Sequence, residues 1–536
     1  MRGADLLVKT LSNAGVEVIF TLSGNQIMPV FDACLDAGIR LIHTRHEGAA
    51  VYMAEAYAQL TGKLGVALIT AAPGFASGLG PLYMARKSET PVLLLSGDSP
   101  VAQDGMGAFQ ELDQVAITRP LTKFSDRPKQ AADLGAAAAK AVRIATSGRP
   151  GPVQLALAFD VLNADPGNTP VPTAADCAAA SSPPDDAAVT ALLDALATAQ
   201  RPVILTGPLQ NRTRAGGRLE KLADAVDAPV ICMESPRGLN DPSLGDIKTA
   251  LARADVIVSL GKDMDFTTGF AKSPAVAENV KFLMVDPDAD LLARAKRALG
   301  DRTVLEHQAD APAAAEALIA AGRGDNSRTA WRDEVTAAIA ARQNAPAPTP
   351  GAAMHPAQLF RAVQKVLDAA DDPILIMDGG EAGQWAQACL SAPTRMINGP
   401  SGAIGGCLCY AVAAKVARPD ATVVVVMGDG TAGFHFAEFE TAHRYGADFV
   451  AVIANDARWN AEYQIQLRDY GPDRLYECEL DNTRYDLAAA GFGCHGEHAA
   501  DPGDLDAALG RALNSGKPTC LVAEIEGVPA PAGAGH

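Results

Sequence analysis

The sequence contains no apolar run of about 20 residues, the length that a membrane-spanning helix needs. Its N-terminal stretch, MRGADLLVKTLSNAGVEVIF, also lacks the unbroken apolar core of a signal peptide, because charged side chains interrupt it. The spacing of its apolar residues instead predicts an amphipathic helix that leads into a strand. We therefore expect a soluble, cytoplasmic protein that has no membrane partner.

Cysteine pairs of the kind that bind zinc are absent. The nine cysteines are scattered along the chain, no CxxC pair occurs, and Cys407 and Cys409 stand in an apolar stretch without a second pair nearby. The odd number also argues against a disulfide framework. Buried, reduced thiols are therefore the favoured interpretation, as in proteins of a reducing compartment.

Positive charge is scarce relative to negative charge. The chain has 45 Lys and Arg residues against 63 Asp and Glu residues, which gives a formal net charge of −18. Nucleic acid and anionic membrane surfaces repel a chain this acidic. We therefore expect no nucleic acid partner, although a local basic patch would still suffice to bind a small phosphorylated molecule.

With 536 residues, 48% of them hydrophobic, the chain is too long for one hydrophobic core and has the composition of a globular protein. Two stretches rich in proline and alanine, residues 163–187 and 343–356, predict linkers between domains. The sequence therefore predicts three domains, over residues 1–165, 188–342 and 357–531.

Each predicted domain alternates short apolar strands with helical stretches. Examples are LGVALIT in the first domain, ADVIVSLG in the second and ATVVVVMGDG in the third. Continuous apolar strands of this kind are typical of parallel sheets that helices cover on both faces. We therefore predict an α/β protein with three doubly wound parallel-sheet domains, whose ligands bind at the carboxyl ends of the strands.

Two acidic side chains follow neighbouring strands of the third domain. A strand that ends at Met427 continues into the GDG tripeptide of residues 428–430, and the next strand leads to Asn455 and Asp456. We therefore expect the carboxylates of Asp429 and Asp456 at one edge of the sheet. Carboxylate and phosphate oxygens are ligands of Mg²⁺, and the glycines permit close approach of a phosphate.

A third acidic residue occurs in the first domain, where the strand IRLIHT leads to the segment RHEGAA and then to a helix. Glu47 of this segment stands at the turn between strand and helix. A carboxylate there either faces a ligand or stabilises the helix N-terminus, and this segment alone leaves both interpretations open.

Together these segments resemble the family of thiamine diphosphate (ThDP) enzymes along nearly the whole chain. The GDG tripeptide with Asn455 and Asp456 resembles the diphosphate-binding signature, and RHEGAA with the following AEAYA resembles the segment that carries the catalytic glutamate. The resemblance implies a pyrimidine-binding first domain, a central domain and a diphosphate-binding third domain. It also implies that Glu47 activates the cofactor by acid–base catalysis.

The resemblance assigns further residues to the cofactor and the substrate. The implied metal ligands are Asp429, Asp456 and the backbone carbonyl of Arg458. Gln110, in the segment AFQELD, resembles the acetolactate synthase glutamine that faces the reaction centre, and a simple loop hydrogen bond is its alternative role. The segment NGPSGAIG, from residue 398, resembles the one that supports the bent cofactor. The residues implied to hold ThDP are Gly379, Gly402, Ile404, Gly428, Gly430 and Thr431.

In this family two subunits share each cofactor. The resemblance therefore implies that Glu47 of one chain acts on ThDP that another chain holds through Asp429. The expected assembly is a homodimer at the minimum, and a tetramer is the assembly that such families commonly form.

The chain departs from biosynthetic acetolactate synthases in two segments. Ala461 and Ile465 stand where those enzymes have Met and Trp, which changes the volume of the acceptor pocket. The arginine-rich loop of their flavin-binding central domain is replaced by GKDMDF, from Gly261, which makes FAD doubtful. The stretch GPLQNRTRAGG, from Gly207, does not match a dinucleotide fingerprint either.

Other segments resemble benzaldehyde lyase. TRHEGAA and Trp459 match that enzyme, whereas its pocket histidine and the small residue before it align with Gln26 and Asn25. These two polar side chains either reach the substrate or cap a loop. If they reach it, they suit an oxygen-rich substrate better than an aromatic one.

Our leading hypothesis is a ThDP- and Mg²⁺-dependent, acetolactate synthase-like carboligase or lyase that takes a 2-oxo acid or 2-hydroxyketone. The alternatives are benzaldehyde lyase-like cleavage, 2-oxo acid decarboxylation, and the CoA-ester branch with oxalyl-CoA decarboxylase and 2-hydroxyacyl-CoA lyase. That branch commonly has a longer C-terminal segment than EGVPAPAGAGH, which makes it less favoured. A ThDP-binding subunit without catalysis and a flavin oxidoreductase of pyruvate oxidase type are the other rivals.

Overall fold

The computed structural model describes residues 1–340, 353–397 and 399–531. It contains three parallel β-sheets with six, five and six strands, which confirms the predicted fold class of three parallel-sheet α/β domains. Most of the predicted linker 343–356, and the predicted end of the second domain at residue 342, lie outside the described residues. The boundaries between domains therefore stay predictions.

The first sheet belongs to the N-terminal third of the chain. Its strands are β1 (Val18–Thr21), β2 (Arg40–His43), β3 (Gly65–Ile69), β4 (Val92–Asp98), β5 (Phe124–Asp126) and β6 (Val153–Ala158), in the order β2-β1-β3-β4-β6-β5. Its helices are α1 (Gly3–Asn13), α2 (Met28–Ala37), α3 (Glu47–Thr61), α4 (Pro73–Ser77), α5 (Leu79–Lys87), α6 (Gln114–Thr118), α7 (Leu134–Thr146), α8 (Phe159–Asn163) and α9 (Ala174–Cys177). The short helix α9 lies within the predicted linker 163–187.

The second sheet has five strands. They are β7 (Pro202–Thr206), β8 (Val230–Cys232), β9 (Val256–Leu260), β10 (Lys281–Val285) and β11 (Thr303–His307), in the order β11-β10-β9-β7-β8. Its helices are α10 (Asp186–Thr198), α11 (Arg212–Ala215), α12 (Arg218–Val226), α13 (Ile247–Leu251), α14 (Ala289–Leu299), α15 (Ala311–Ala321) and α16 (Thr329–Ala340).

The third sheet repeats the topology of the first. Its strands are β12 (Pro373–Met377), β13 (Thr394–Ile397), β14 (Thr422–Gly428), β15 (Val450–Asn455), β16 (His495–Ala499) and β17 (Thr519–Glu524), in the order β13-β12-β14-β15-β17-β16. Its helices are α17 (Pro356–Ala369), α18 (Gly380–Cys389), α19 (Cys407–Ala417), α20 (Asp429–Ala432), α21 (Glu438–Tyr445), α22 (Asn460–Tyr470), α23 (Tyr485–Gly491) and α24 (Leu505–Leu513).

The strands are buried on both faces, which explains their continuous apolar sequences. In β14, Val424 and Val426 belong to one hydrophobic core, and Val425 and Met427 belong to another. The core of Val425 and Met427 extends into the first domain, because α3 and α19 pack against each other with almost every side chain buried. The first and third domains of one chain therefore share a hydrophobic core.

The topology predicts where ligands bind. In each sheet the strand order reverses between the first and third strands in sequence, which are β1 and β3, β7 and β9, or β12 and β14. Loops that leave such neighbouring strands in opposite directions border a crevice, and this is where doubly wound sheets bind ligands.

Two expectations about the rest of the chain can be compared with the structure. No helix in the described part combines the length and the apolar character of a membrane span. No disulfide joins any of the nine cysteines, and seven of them are buried. Burial raises the pKa of the Cys34 thiol to about 12, which makes that thiol unreactive.

Candidate active site

The carboxyl edge of the third sheet carries the predicted cofactor residues. β14 ends at Gly428 and α20 begins at Asp429, while the parallel neighbour β15 places Ala454 opposite Gly428 and leads to Asp456. This register brings the two acidic residues to one edge. Around them lies a cavity of about 190 Å³, and the predicted residues that line it are Gly379, Gly402, Ile404, Gly428, Asp429, Gly430, Thr431, Asp456, Arg458 and Trp459.

The two acidic side chains at this edge are buried beside each other, and Arg237 and Arg458 line the same cavity. Asp429 is 3% exposed, and burial raises its pKa to about 6. Burial and the nearby Asp429 carboxylate raise the pKa of Asp456 to about 7. Among the described residues, no hydrogen-bond partner satisfies Asp429 Oδ2, although this atom is buried. Two such carboxylates suit a divalent cation with oxygen ligands.

The loop after β15 has a shape that local hydrogen bonds maintain. Ala457 adopts the left-handed conformation at φ +53°, and its N–H donates to Asn455 Oδ1 at 3.1 Å. Asn455 Nδ2 in turn donates to Asn482 Oδ1 at 2.7 Å. The guanidinium of Arg458 lies 4.3 Å from the centre of the Tyr463 ring, so the backbone carbonyl is the group through which Arg458 would bind a cation.

The second glycine of the GDG tripeptide is required by a close contact. A Cβ atom on Gly430 would lie 2.8 Å from the Trp459 ring, so no side chain fits there. The Thr431 hydroxyl donates to the Gly428 carbonyl at 3.0 Å. Tyr485 donates its hydroxyl to the Asp429 carbonyl at 3.0 Å, which ties the start of α20 to α23. Backbone groups, rather than side chains, therefore dominate this wall of the cavity.

The opposite wall follows β12 and β13. Asp378 accepts the N–H of Gly405 at 3.0 Å, which draws the segment with Ile404 toward the end of β12. Gly402 adopts φ +70°, a conformation that glycine permits at no steric cost. Asn398, the first residue of the predicted NGPSGAIG segment, lies outside the described residues.

The first domain holds the predicted catalytic glutamate. Glu47 begins α3 directly after the cap residue His46, whose Nδ1 accepts the Gly48 N–H at 3.0 Å. A Cβ atom on Gly74 would lie 3.0 Å from Glu47 Oε1, so Gly74 leaves the carboxylate room. Glu47 does not belong to the described lining of the cavity around Asp429. Within one chain, the His46 ring instead contacts His435 of the third domain at 5.3 Å.

The two predicted substrate-facing glutamines meet in space. Gln26 Nε2 donates to Gln110 Oε1 at 2.7 Å, and the Thr70 hydroxyl donates to Gln26 Oε1 at 3.0 Å. Gln26 is buried, and Asn25 is exposed beside it at the start of the helical turn Asn25–Ile27. Gln110 is half-buried and adopts φ +60°. The structure therefore joins Gln26 to Gln110 and leaves Asn25 at the surface.

The two residues that distinguish the acceptor pocket of this chain from that of acetolactate synthases lie in different places. Ala461 lines the cavity with Trp459, whereas Ile465 is 41% exposed and does not belong to the described lining. The ring of Trp459 packs edge-to-face on Phe434, with 6.3 Å between ring centres. The small side chain of Ala461 therefore leaves space on the wall that Trp459 forms.

Sequence reasoning missed three residues of the site. Thr70 follows β3 directly, and the rule that ligands bind at the carboxyl ends of strands would have identified it. Arg237 and Glu381 line the cavity with Asp429. Glu381 stands one residue into α18 after β12, where the same rule applies, but Arg237 comes from an irregular stretch of the central domain that carries no sequence signal.

Three protein-family models match the chain, one for each sheet. Residues 1–117 match "Thiamine pyrophosphate enzyme, N-terminal TPP binding domain", residues 189–318 match "Thiamine pyrophosphate enzyme, central domain", and residues 378–523 match "Thiamine pyrophosphate enzyme, C-terminal TPP binding domain". The predicted glutamate and the predicted metal ligands fall within the first and the last of these matches.

Similarity to known proteins extends along nearly the whole chain. "Probable acetolactate synthase" of Mycobacterium bovis is 31% identical over 539 residues, which cover 97% of this chain and 95% of that protein. "Acetolactate synthase large subunit" of Parasynechococcus marenigrum is 30% identical over 551 residues, covering 97% and 86%. "2-hydroxyacyl-CoA lyase 2" of Bos taurus is 29% identical over 548 residues, covering 92% and 84%.

Proposed function

The chain belongs to the family of ThDP-dependent enzymes that form or cleave carbon–carbon bonds, and we propose that it is an Mg²⁺-dependent, acetolactate synthase-like enzyme that acts on a 2-oxo acid. The observation that carries the proposal is the cavity in which Asp429 and Asp456 meet and in which the buried Asp429 Oδ2 has no hydrogen-bond donor among the described residues. The full-length similarity to "Probable acetolactate synthase" supports the choice of reaction.

The residues of the third domain would anchor the cofactor. Asp429, Asp456 and the carbonyl of Arg458 would bind Mg²⁺, which prefers oxygen ligands and bridges to phosphate oxygens. The backbone at Gly430 and the N-terminus of α20 would approach the diphosphate. Ile404, on the opposite wall, would support the rings of the cofactor. When bound, ThDP supplies the electron sink for the carbon–carbon bond chemistry.

The residues of the first domain would handle protons and the substrate. Glu47 would hold and release a proton beside the pyrimidine ring, a form of catalysis worth about 10²–10⁴-fold in rate. Gln110 would hydrogen-bond to substrate oxygens, which suits a 2-oxo acid better than an aromatic substrate. Among the predicted pocket residues, Trp459 and Ala461 would bound the space for the second substrate.

A second copy of the chain would complete the site. Glu47 lies outside the described lining of the cavity that its own chain forms around Asp429. Exposed apolar side chains flank both halves of the site, Phe109 beside Gln110 at 79% exposed and Phe434 near Ile404 at 54% exposed. Large exposed apolar groups at a functional surface are typical of interfaces. We therefore propose a homodimer as the minimal active unit, with a tetramer as a pair of such dimers.

Cleavage of a 2-hydroxyacyl-CoA is the second candidate reaction. "2-hydroxyacyl-CoA lyase 2" is a relative over 92% of the chain. A crevice of about 580 Å³ lies beside the carboxyl ends of the central strands, and its lining includes Arg86, Lys87 and Lys123 together with four acidic residues, Glu89, Asp263, Asp265 and Asp288. Basic side chains in such a crevice suit the phosphates of a CoA ester.

The test is the reaction of purified protein with pyruvate, ThDP and Mg²⁺, with CO₂ release measured and the carbon product identified. We expect CO₂ and acetolactate, and acetaldehyde alone would assign a decarboxylase instead. Protein that binds ThDP but releases no CO₂ from pyruvate or 2-oxobutyrate would overturn the proposed substrate class. The same protein would then be assayed with a 2-hydroxyacyl-CoA, where an aldehyde and formyl-CoA as products would establish the second candidate.

A further inference from the structure

A short chain of hydrogen bonds connects three side chains at the switch point of the first sheet. The Thr70 hydroxyl donates to Gln26 Oε1 at 3.0 Å, and Gln26 Nε2 donates to Gln110 Oε1 at 2.7 Å. Thr70 follows β3, and Gln26 stands in the turn after β1, so the strand reversal itself brings them together. We call these three residues the amide relay.

In the structure the hydrogen bonds of the relay run in one direction. The Thr70 hydroxyl donates to Gln26 Oε1, which leaves the NH₂ group of Gln26 to face Gln110, and that group can only donate. The carboxamide oxygen of Gln110 is therefore the acceptor in the pair, and its NH₂ group remains as the donor for another molecule. The orientation of the Gln110 amide thus goes together with the donor role of the Thr70 hydroxyl.

Close packing holds the relay in place. A Cβ atom on Gly24 would lie 2.1 Å from Thr70 Oγ1, and a Cβ atom on Gly97 would lie 2.9 Å from Gln26 Cβ. Gln26 is only 8% exposed. The backbone therefore packs closely on Thr70 at Gly24 and on the base of the Gln26 side chain at Gly97.

The loop that carries Gln110 does not need the relay for its shape. The Glu111 carboxylate accepts backbone N–H groups from Gly105 at 2.5 Å, Gly107 at 3.0 Å and Ala108 at 3.1 Å. These bonds close the loop independently of Gln26. The bond from Gln26 to Gln110 therefore constrains the orientation of one carboxamide rather than the fold of the loop.

The relay also lies next to the predicted catalytic carboxylate. A Cβ atom on Gly74 would lie 2.6 Å from Thr70 Cγ2 and 3.0 Å from Glu47 Oε1. Gly74 is thus in contact with both residues. Through Thr70, the relay therefore adjoins the predicted catalytic carboxylate.

We propose that Thr70 and Gln26 are positioning residues that fix the Gln110 carboxamide with its NH₂ group toward the substrate. The relay thereby favours a donor substrate that presents an oxygen able to accept hydrogen bonds, such as the carboxylate of a 2-oxo acid. This inference rests on the proposed function, because it assigns the substrate contact of the same site.

Gln26→Glu is the decisive variant, because an ionised carboxyl at position 26 can only accept hydrogen bonds. The Gln110 carboxamide would have to turn its NH₂ group toward position 26 and present its oxygen to the substrate. We expect the KM for pyruvate to rise about tenfold at pH 8 with a much smaller change in kcat, as for the loss of one hydrogen bond to a charged group.

The same variant predicts a pH dependence that a merely structural role would not produce. Once the carboxyl introduced at position 26 is protonated, it donates to Gln110 Oε1 and restores the original polarity. The KM of Gln26→Glu should therefore return toward the wild-type value as the pH falls through the pKa of this carboxyl, and the wild type should lack this ionisation. A KM that matches the wild type at every pH would overturn the proposal.

Thr70→Val and Thr70→Ser form a matched pair. Valine keeps the shape of threonine and removes the donor, whereas serine keeps the hydroxyl. We expect a several-fold rise in KM for Thr70→Val and wild-type behaviour for Thr70→Ser, since one neutral hydrogen bond has this weight. Equal KM values for the two variants would contradict a role for the hydroxyl.

A measurement without substrate separates this proposal from the proposed function. In protein labelled with ¹⁵N at glutamine side chains and saturated with ThDP and Mg²⁺, the Gln26 NH₂ group should exchange slowly with solvent in the wild type and in Thr70→Ser. It should exchange at least about tenfold faster in Thr70→Val. Slow exchange without turnover of pyruvate would reject the 2-oxo acid and retain the relay, whereas fast exchange in the wild type would reject the relay.

Discussion

The first and third domains have the same strand order, so that β1, β2 and β3 correspond to β12, β13 and β14. The chemical groups at their switch points differ. The first domain presents Gln26 and Thr70, which satisfy one another with a hydrogen bond of 3.0 Å. The third domain presents Asp429, whose buried Oδ2 no described donor satisfies. The same strand order therefore supports neutral groups that hydrogen-bond to one another in the first domain. In the third domain it supports two neighbouring carboxyl groups, one of which has an unsatisfied oxygen.

This difference suits the first domain to orienting a side chain that faces the substrate, and the third domain to binding a ligand. Neutral groups that satisfy one another are complete before any ligand arrives, so they can hold a substrate-facing side chain in a fixed direction. Buried carboxylates without a partner require a cation or a proton, so they favour a ligand that brings one. The central sheet is a third case, because Arg149 forms ion pairs with Glu89 and Asp286 near its switch point and already neutralises the charge there.

The largest effect should follow from Glu47→Ala in the first domain. We expect the turnover number to fall by about 10²–10⁴-fold, since the variant removes an acid–base group. The affinity for ThDP should change little, because the anchoring carboxylates lie in the third domain. Steady-state kinetics and calorimetric titration with ThDP and Mg²⁺ measure the two quantities separately.

Glu17→Ala is the control for that experiment. Glu17 is an exposed carboxylate of the same domain, paired with Lys63 at 2.8 Å, and its removal should leave turnover unchanged. Normal turnover in Glu47→Ala would remove this carboxylate from the mechanism and leave the first domain with an orienting role alone.

Asp429→Ala should act on cofactor binding, the quantity that Glu47→Ala is expected to leave almost unchanged. Without this carboxylate we expect the affinity for ThDP in the presence of Mg²⁺ to fall by about 100-fold, because a hard cation loses a charged oxygen ligand. Calorimetry of the Mg²⁺-dependent binding tests this. Asp420→Ala, just before the other end of β14, should bind ThDP normally. An unaltered affinity in Asp429→Ala would disprove the metal site.

The carboxylate pair also predicts how the cofactor-free protein responds to pH. The pKa of Asp456 is raised from 3.8 to about 7, so the folded state binds its proton more tightly than the unfolded state does. The stability that Asp456 contributes should therefore be present at low pH and be lost as the pH rises from about 4 to 7. Asp456→Asn should weaken this dependence, and Mg²⁺ with ThDP should offset it. Thermal unfolding from pH 4.5 to 8 measures both effects.

A pH dependence that Asp456→Asn leaves unchanged would assign the ionisation to another group. Other candidates among the described residues are Glu55 and Glu438, because burial raises the pKa of each to about 7. A comparison of Asp456→Asn with Glu55→Gln therefore distinguishes charge at the site from charge in the shared core.

The sequence predicted the three parallel sheets and the residues of the third-domain cavity because both depend on local patterns. Continuous apolar strands specify a sheet that is buried on both faces. Asp429 and Asp456 directly follow neighbouring strands, so their meeting follows from strand order alone. Glycine-rich segments around Gly402 and Gly430 lie close to the strand ends, where a short spacing already specifies the position.

Local sequence patterns of this kind could not predict the amide relay. Gln26 and Gln110 were each predicted near the substrate, but the contact between them depends on the path of a loop 84 residues away, which spacing does not specify. The left-handed conformation of Gln110 has no signal in its residue type. Arg237 reaches the cavity only through the packing of the central domain against the third, which no motif encodes.

The smallest of the predicted effects concerns the core that the two domains share. Glu55 of α3 is fully buried, and burial raises its pKa from 4.5 to about 7. Tyr410 of α19 donates its hydroxyl to Glu55 Oε2 at 2.8 Å, so this carboxyl joins the first domain to the third. Since the folded state binds the proton more tightly than the unfolded state, the stability that it contributes is present below pH 4.5 and is lost as the pH rises through 7.

Glu55→Gln keeps the side-chain shape and removes the ionisation. We expect the variant to be more stable than the wild type at pH 8 by about 2 kcal/mol and to differ little from it at pH 4.5. Thermal unfolding of the two proteins across this range is the measurement. Its affinity for ThDP should stay at the wild-type value, because Glu55 touches neither switch point. A variant that loses stability equally at all pH values would show that the hydrogen bond from Tyr410 requires the carboxyl group itself, and that its charge has no part in the pH response.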